Sequence, residues 1–197
     1  MKNTISGLAF LLLLFLMACG PTDQSKQAEG AEETAEATAT EEAAPAEDKS
    51  NRPSPPKEAS GQIAGADILI NYSSPAVKGR KIWGGLEAYG AVWRTGANEA
   101  TTIEFSKAVT IEGKTLAAGK YALFSIPNED KWVIIFNTDT EQWGATNYDE
   151  SKDALRVEVK PKNLDQQVER MEFEVTTEGV ALRWDKIEVS FKVGAAG

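Results

Sequence analysis

Histidine is missing from all 197 residues, and cysteine occurs once, at Cys19. Without imidazole there is no Ser-His-Asp triad, no Cys-His pair, no histidine general base, and no His-ligated zinc, copper or iron. With a single thiol, disulfides within the chain and multi-cysteine metal sites are excluded as well. No glycine-rich phosphate cradle of the Walker or dinucleotide type is present. Positive charge is scarce too: 21 Lys and Arg stand against 30 Asp and Glu, a net of −9, and no basic cluster exists to neutralise phosphates. No nucleic-acid partner is expected, and no cofactor or metal. Carboxylate, lysine or tyrosine chemistry, hard-cation binding through oxygen, or no chemistry at all remain open.

What is present divides into three regions. Lys2, the apolar run Leu8 to Met17 and the closing Ala18-Cys19 form the pattern of a secretory signal peptide over residues 1–18. The run is too short for a hydrocarbon core that needs about 20 residues. Small Ala18 before the lone Cys19 resembles a bacterial lipobox, in which the thiol is acylated and becomes the mature N-terminus. Met17 stands where a smaller residue is more common. Several acyl chains, each worth about 0.8 kcal/mol per buried methylene, anchor a protein stably. The resemblance implies lipidation at Cys19, a membrane partner through that anchor, and residence in the cell envelope. The outer membrane is expected, because Gly20 is not an aspartate that acts as an inner-membrane retention signal.

Residues 19–60 follow as a linker. From Gly20 to Ser60 there is no Val, Leu, Ile or aromatic residue, so nothing can form a core, and ten acidic residues against four basic ones leave a net of −6. A disordered acidic tether with an r.m.s. span of about 35 Å is expected.

Residues 61–197 read as one all-β domain. Ala66, Ile68, Ile70 and Tyr72 alternate on one face of a strand, as do Thr101, Ile103 and Phe105. Glu112-Gly113 and Pro127 to Asp130 read as turns. Trp132 to Phe136 is apolar on both faces, which predicts a central strand with its outer face covered. Met171, Phe173 and Val175 precede a turn at Gly179. Val180, Leu182 and Trp184 then lead to a further turn at Asp185-Lys186, and Ile187, Val189 and Phe191 complete a meander. The expected fold is an antiparallel β-sandwich, jelly-roll-like or Greek-key, with helical turns only near Gly85 to Tyr89 and Asp149 to Ala154.

One stretch concentrates polar and aromatic groups: Trp93-Arg94-Thr95-Gly96-Ala97-Asn98-Glu99-Ala100-Thr101, preceded by Lys78-Gly79-Arg80 and Trp83-Gly84-Gly85. With Gln142-Trp143-Gly144 and Asn147-Tyr148-Asp149 it resembles the bacterial family known as domain of unknown function 2911, over nearly all of Ser73 to Val193. The resemblance implies a folded unit of secreted or membrane-attached proteins and brings no established activity with it.

Two accounts of the stretch stay open. In the structural account Arg94 and Glu99 pair to close a loop, Gly96 and Asn98 take left-handed turn conformations, and Trp93 fills the core. In the functional account Arg94 offers a donor fork to a carboxylate or sulfate, Asn98 and Glu99 bond hydroxyls, and Trp93 or Trp143 stacks on a ring, with Tyr148 alongside. Asp149, Glu150 and Asp153 lack the ligand spacing of a calcium loop and fit a helix N-terminus better. Glu87, Glu99 and Asp149 are candidate carboxylates for a glycosidase, which needs two flanking one bond. The expectation is a membrane-anchored, non-catalytic binding or envelope-associated module for a small-molecule, glycan or protein ligand. The alternative is a carboxylate-dependent enzyme acting on carbohydrate.

Overall fold

The computed structural model describes residues 49–197. The signal peptide, Cys19 and the linker up to residue 48 lie outside the described residues. Two antiparallel sheets pack face to face, as the alternation predicts. The strands are β1 Pro56–Ile63, β2 Ala66–Ser73, β3 Thr102–Phe105, β4 Val109–Ile111, β5 Lys114–Leu116, β6 Gly119–Ile126, β7 Trp132–Asn137, β8 Asp153–Val159, β9 Lys162–Val175 and β10 Gly179–Ala195. One sheet runs β1-β2-β3-β6-β7-β8 and the other β5-β4-β10-β9. The chain crosses between sheets after β3, β5 and β8. Among the described residues the only helical element is a 3-10 turn at Glu150–Lys152, capped by Asp149. The segment Gly85 to Tyr89 is a loop.

The core lies between the sheets. Ile68 and Ile70 of β2, Ile103 and Phe105 of β3, Phe136 of β7, and Leu182, Val189 and Phe191 of β10 are all buried there. At about 25 cal/mol per Å² of apolar surface, such burial is the main force holding a chain with no disulfide. Strand β7 lies fifth of six, between β6 and β8, and its outer face is covered as its two-sided apolarity requires. Ile135 is fully buried with Phe124 and Ala122, beneath Val92, Ala100, Ala145 and Tyr148. Those four belong to two long excursions, residues 74–101 and 138–149, which carry the polar-aromatic stretch.

The strands depart from the sequence expectation in two places. The segment Pro56 to Ser60, expected in the linker, belongs to β1, which pairs with β2 from Pro56↔Ser73 to Ile63↔Ala66. It is an edge strand whose side chains are mostly exposed, so it carries no apolar alternation to signal it. Its leading proline sits where an edge tolerates one. Asp185-Lys186, expected as a turn, instead lies inside one 17-residue strand. Asp185 takes φ +52°, and the register against β9 jumps from Asp185↔Val168 to Ile187↔Asn163. The extra residues on β9 form a bulge, closed by the Gln167 amide donating to Asp185 at 2.5 Å. A bulge and a turn use the same residues at positive φ, which is why the two look alike in sequence.

Candidate functional site

Trp93 anchors the 74–101 excursion to the sheet. Its backbone exchanges hydrogen bonds of 2.8 and 2.9 Å with Ser125 of β6, occupying the lane that β3 leaves free. Its indole is buried, stacks on Trp184 at 5.8 Å and meets Trp83 and Trp132 edge-on. The four rings form one cluster between the sheets, with Trp83 against Trp132 at 4.8 Å. The Trp93 indole N–H donates to the Gly96 carbonyl at 3.0 Å. Trp93 is therefore a core residue, with no face open for stacking.

The residues after it make a tight loop bonded through Thr95, Asn98 and Thr101. Thr95 and Asn98 carry the positive φ values, +51° and +59°, rather than Gly96. Gly96 is needed for closeness: a Cβ there would lie 2.7 Å from the Thr101 hydroxyl. The Thr101 hydroxyl donates to the Thr95 carbonyl, and the Asn98 amide donates to the Ser54 carbonyl at 3.1 Å and to the Ser73 hydroxyl at 3.2 Å. Asn98 is occupied within the fold.

The Arg94–Glu99 ion pair of the structural account is not formed. Glu99 instead accepts from Lys49 at 2.7 Å and from Arg52 at 3.0 Å, both on the segment that precedes β1. Burial pushes its carboxyl upward, but hydrogen bonds from Lys49 and Arg52 outweigh that and hold it down at about 2. Glu99 and its neighbours pair by backbone with the second excursion: Ala100 N–H donates to the Gln142 carbonyl, and Gly144 N–H to the Asn98 carbonyl. Trp143 is thereby fixed at the surface with 62% of its area exposed, the Arg52 guanidinium 6.0 Å from its ring centre. Of five tryptophans it alone is a platform.

Arg94 reaches the second excursion at Gly144. A Cβ on Gly144 would sit 3.5 Å from its guanidinium, and its buried Nε has no acceptor among the described residues. Its charge acts on Glu87, whose carboxyl is pushed up to about 7 by burial and drawn back down by Arg94 and then Arg80. Arg80 is itself fixed by donating to the Val77 and Ala76 carbonyls. Sequence separates these three by loops, so their grouping has no local signature.

Tyr148 and Asp149 have structural partners. The Tyr148 hydroxyl donates to Asp153 at 2.6 Å and accepts from Arg156 at 2.5 Å, while its ring packs edge-on against Phe124. Burial, then the Asp153 hydrogen bond, pushes it up to about 12. Asp149 caps the 3-10 turn by accepting from the Ser151 N–H and hydroxyl. Among the described residues no group of three acidic, histidine or cysteine side chains is placed to hold a metal ion.

Glu99 lines a cavity of about 250 Å³ with Lys49, Lys57, Tyr72 and Glu141, and neither Glu87 nor Asp149 enters its wall. The basic partners of Glu99 are what sequence reasoning missed. Their signal is faint: two cations three residues apart, just before the prolines, in an otherwise acidic segment.

No curated protein and no solved structure matches the chain. A family match over residues 54–193 takes in β1 to β9, both excursions and all but the last two residues of β10, and the chain belongs to the family described as "Protein of unknown function (DUF2911)".

Proposed function

We propose that the chain is a lipid-anchored, non-catalytic binding module that presents a protein-facing surface around Trp143. The observation that carries this is the Trp143 indole, 62% exposed on a backbone pinned by hydrogen bonds at Gln142 and Gly144 on either side. Rigid exposed aromatics lose little entropy on contact and are enriched at the energetic centres of interfaces. Leu86 and Tyr89, the other large exposed apolar side chains among the described residues, flank Glu87 on the first excursion.

The enzyme alternative finds less support. Glu99 is held ionised by two cations, Asp149 is engaged as a cap, and Glu87 is not in the wall of the cavity that Glu99 lines. A glycosidase needs an acid and a second carboxylate across one bond. A photo-crosslinking residue at position 143 is expected to trap a partner in intact cells, and the same residue at exposed Asp165 is not. Equal yields at the two positions would remove the interface.

The anchor rests on the Ala18-Cys19 ending of the apolar run. Metabolic labelling with a fatty acid is expected to mark the wild-type chain, and Cys19→Ser to lose the label completely. Label retained by the serine variant, or absent from the wild type, counts against lipidation. Localisation at the outer membrane follows the same leader and the Gly20 that succeeds it.

A further inference from the structure

The segment just before β1 lies across the candidate surface as a strap. Its side chains reach Glu99 from two positions, Lys49 at 2.7 Å and Arg52 at 3.0 and 3.2 Å to the two carboxylate oxygens. The Arg52 guanidinium also stands 6.0 Å from the Trp143 ring centre, within the range of a cation–π contact. Downstream, three successive carbonyls are caught: Pro53 by Arg170, Ser54 by Asn98, and Pro55 by the Ser74 N–H at 2.9 Å. A carboxylate beside an indole offers a basic side chain both an ion pair and a ring face. Here the basic side chain is the chain's own.

We infer that Glu99 and Trp143 form an acceptor for a Lys/Arg-bearing segment of a partner protein, closed in the resting chain by its own Lys49–Arg52 strap. Three features favour this over a simple fastening. The Lys49 contact with Glu99 is solvated, with the two side chains 43% and 38% exposed, and a pair so exposed is weak and screened by salt, while Arg52 at 20% exposure is the firmer hold. The strap is anchored independently downstream through Pro53 to Pro55, so residues 49–52 can lift without unzipping β1. Residues 61–197 carry twenty acidic against sixteen basic side chains, a net of −4, which also draws a basic partner rather than an acidic one.

The inference rests on the protein-facing reading of Trp143 and is tested separately from it. In the full chain, a dye-labelled peptide of sequence Lys-Ser-Asn-Arg-Pro-Ser, the strap itself, serves as the probe and fluorescence anisotropy as the readout. A strap closed nine-tenths of the time lowers the apparent affinity of a competitor about tenfold. The Lys49→Ala/Arg52→Ala chain is therefore expected to bind the peptide at least tenfold more tightly than wild type. Adding Glu99→Gln should abolish the gain, and raising salt should weaken it. Equal affinity of wild type and double variant, or tight binding that survives Glu99→Gln, would overturn the acceptor.

If the double variant does not fold, the wild type supplies the second measurement. Excess peptide should accelerate hydrogen exchange at the Arg52 amide, which donates to the Lys49 carbonyl at 3.2 Å in the closed strap. Unchanged exchange at saturating peptide refutes the displacement. A chain that cross-links at position 143 in cells yet ignores this peptide overturns the basic-segment inference alone.

Discussion

Replacing Trp93 by alanine is expected to lower the stability of the domain by about 3–5 kcal/mol, the usual cost of truncating a large buried aromatic. The ring is 4% exposed and touches three other tryptophans, one stacked at 5.8 Å and two edge-on. Its removal leaves a void that Trp83, Trp132 and Trp184 cannot fill without leaving their T-shaped contacts, which add about 0.5–1.5 kcal/mol per pair beyond buried area. The indole N–H to Gly96 bond is lost too, loosening the Thr95 to Asn98 loop. A domain of ordinary stability, about 5–15 kcal/mol, would be brought close to unfolding at growth temperature. Trp143→Ala, on an exposed ring, should shift stability by less than about 0.5 kcal/mol. Urea midpoints of the two variants compare them directly. A Trp93→Ala domain as stable as Trp143→Ala would show that the four-ring cluster does not hold the sheets together.

The contrast between these two tryptophans shows what the sequence could and could not reveal. Strands β2 and β7 were legible because their residues alternate or are apolar throughout, and burial enforces that pattern residue by residue. Strand β1 was not, because its edge position leaves Lys57 and Glu58 exposed and asks nothing apolar of them. The bend at Asp185 was legible as a positive-φ site but not as a bulge, since partner register decides between the two.

In the site, residue types were readable and pairings were not. Arg94 and Glu99, five apart, look like natural partners, yet the fold gives each a different one. Glu99 meets Lys49 and Arg52, and Arg94 acts on Glu87. Charge attraction has no sequence address; only the fold chooses among partners of the same sign. One consequence is that Arg94→Ala does not orphan Glu99, and the collapse that an Arg94–Glu99 pair would imply is not expected.

The stability of the domain is expected to fall as pH rises from about 5 to 8, and Glu87→Gln to abolish that fall. Burial raises the Glu87 carboxyl from 4.5 to about 7, so over this interval the folded chain holds a proton that the unfolded chain has released. Stability decreases with pH wherever the native state binds more protons. The contribution is fully present below about pH 4.5 and is lost as pH passes about 7. A full shift of this size corresponds to about 3 kcal/mol, and partial solvation of the carboxyl reduces the expected loss to on the order of 2 kcal/mol. Glu99 works in the opposite sense and in another window: held down at about 2, it stabilises above pH 4.5 and ceases to do so only as pH falls toward 2.

The interval between 5 and 8 is unusually clean, because the chain has no histidine to titrate in it. Arg94→Ala removes the larger of the two charges drawing the Glu87 proton off, so its stability should drop more steeply with pH than that of wild type. Urea unfolding at pH 5 and pH 8 measures all three chains. A wild-type midpoint that is flat or rises over this interval would show that Glu87 is ionised in the folded domain at neutral pH, already paired with Arg94 or Arg80.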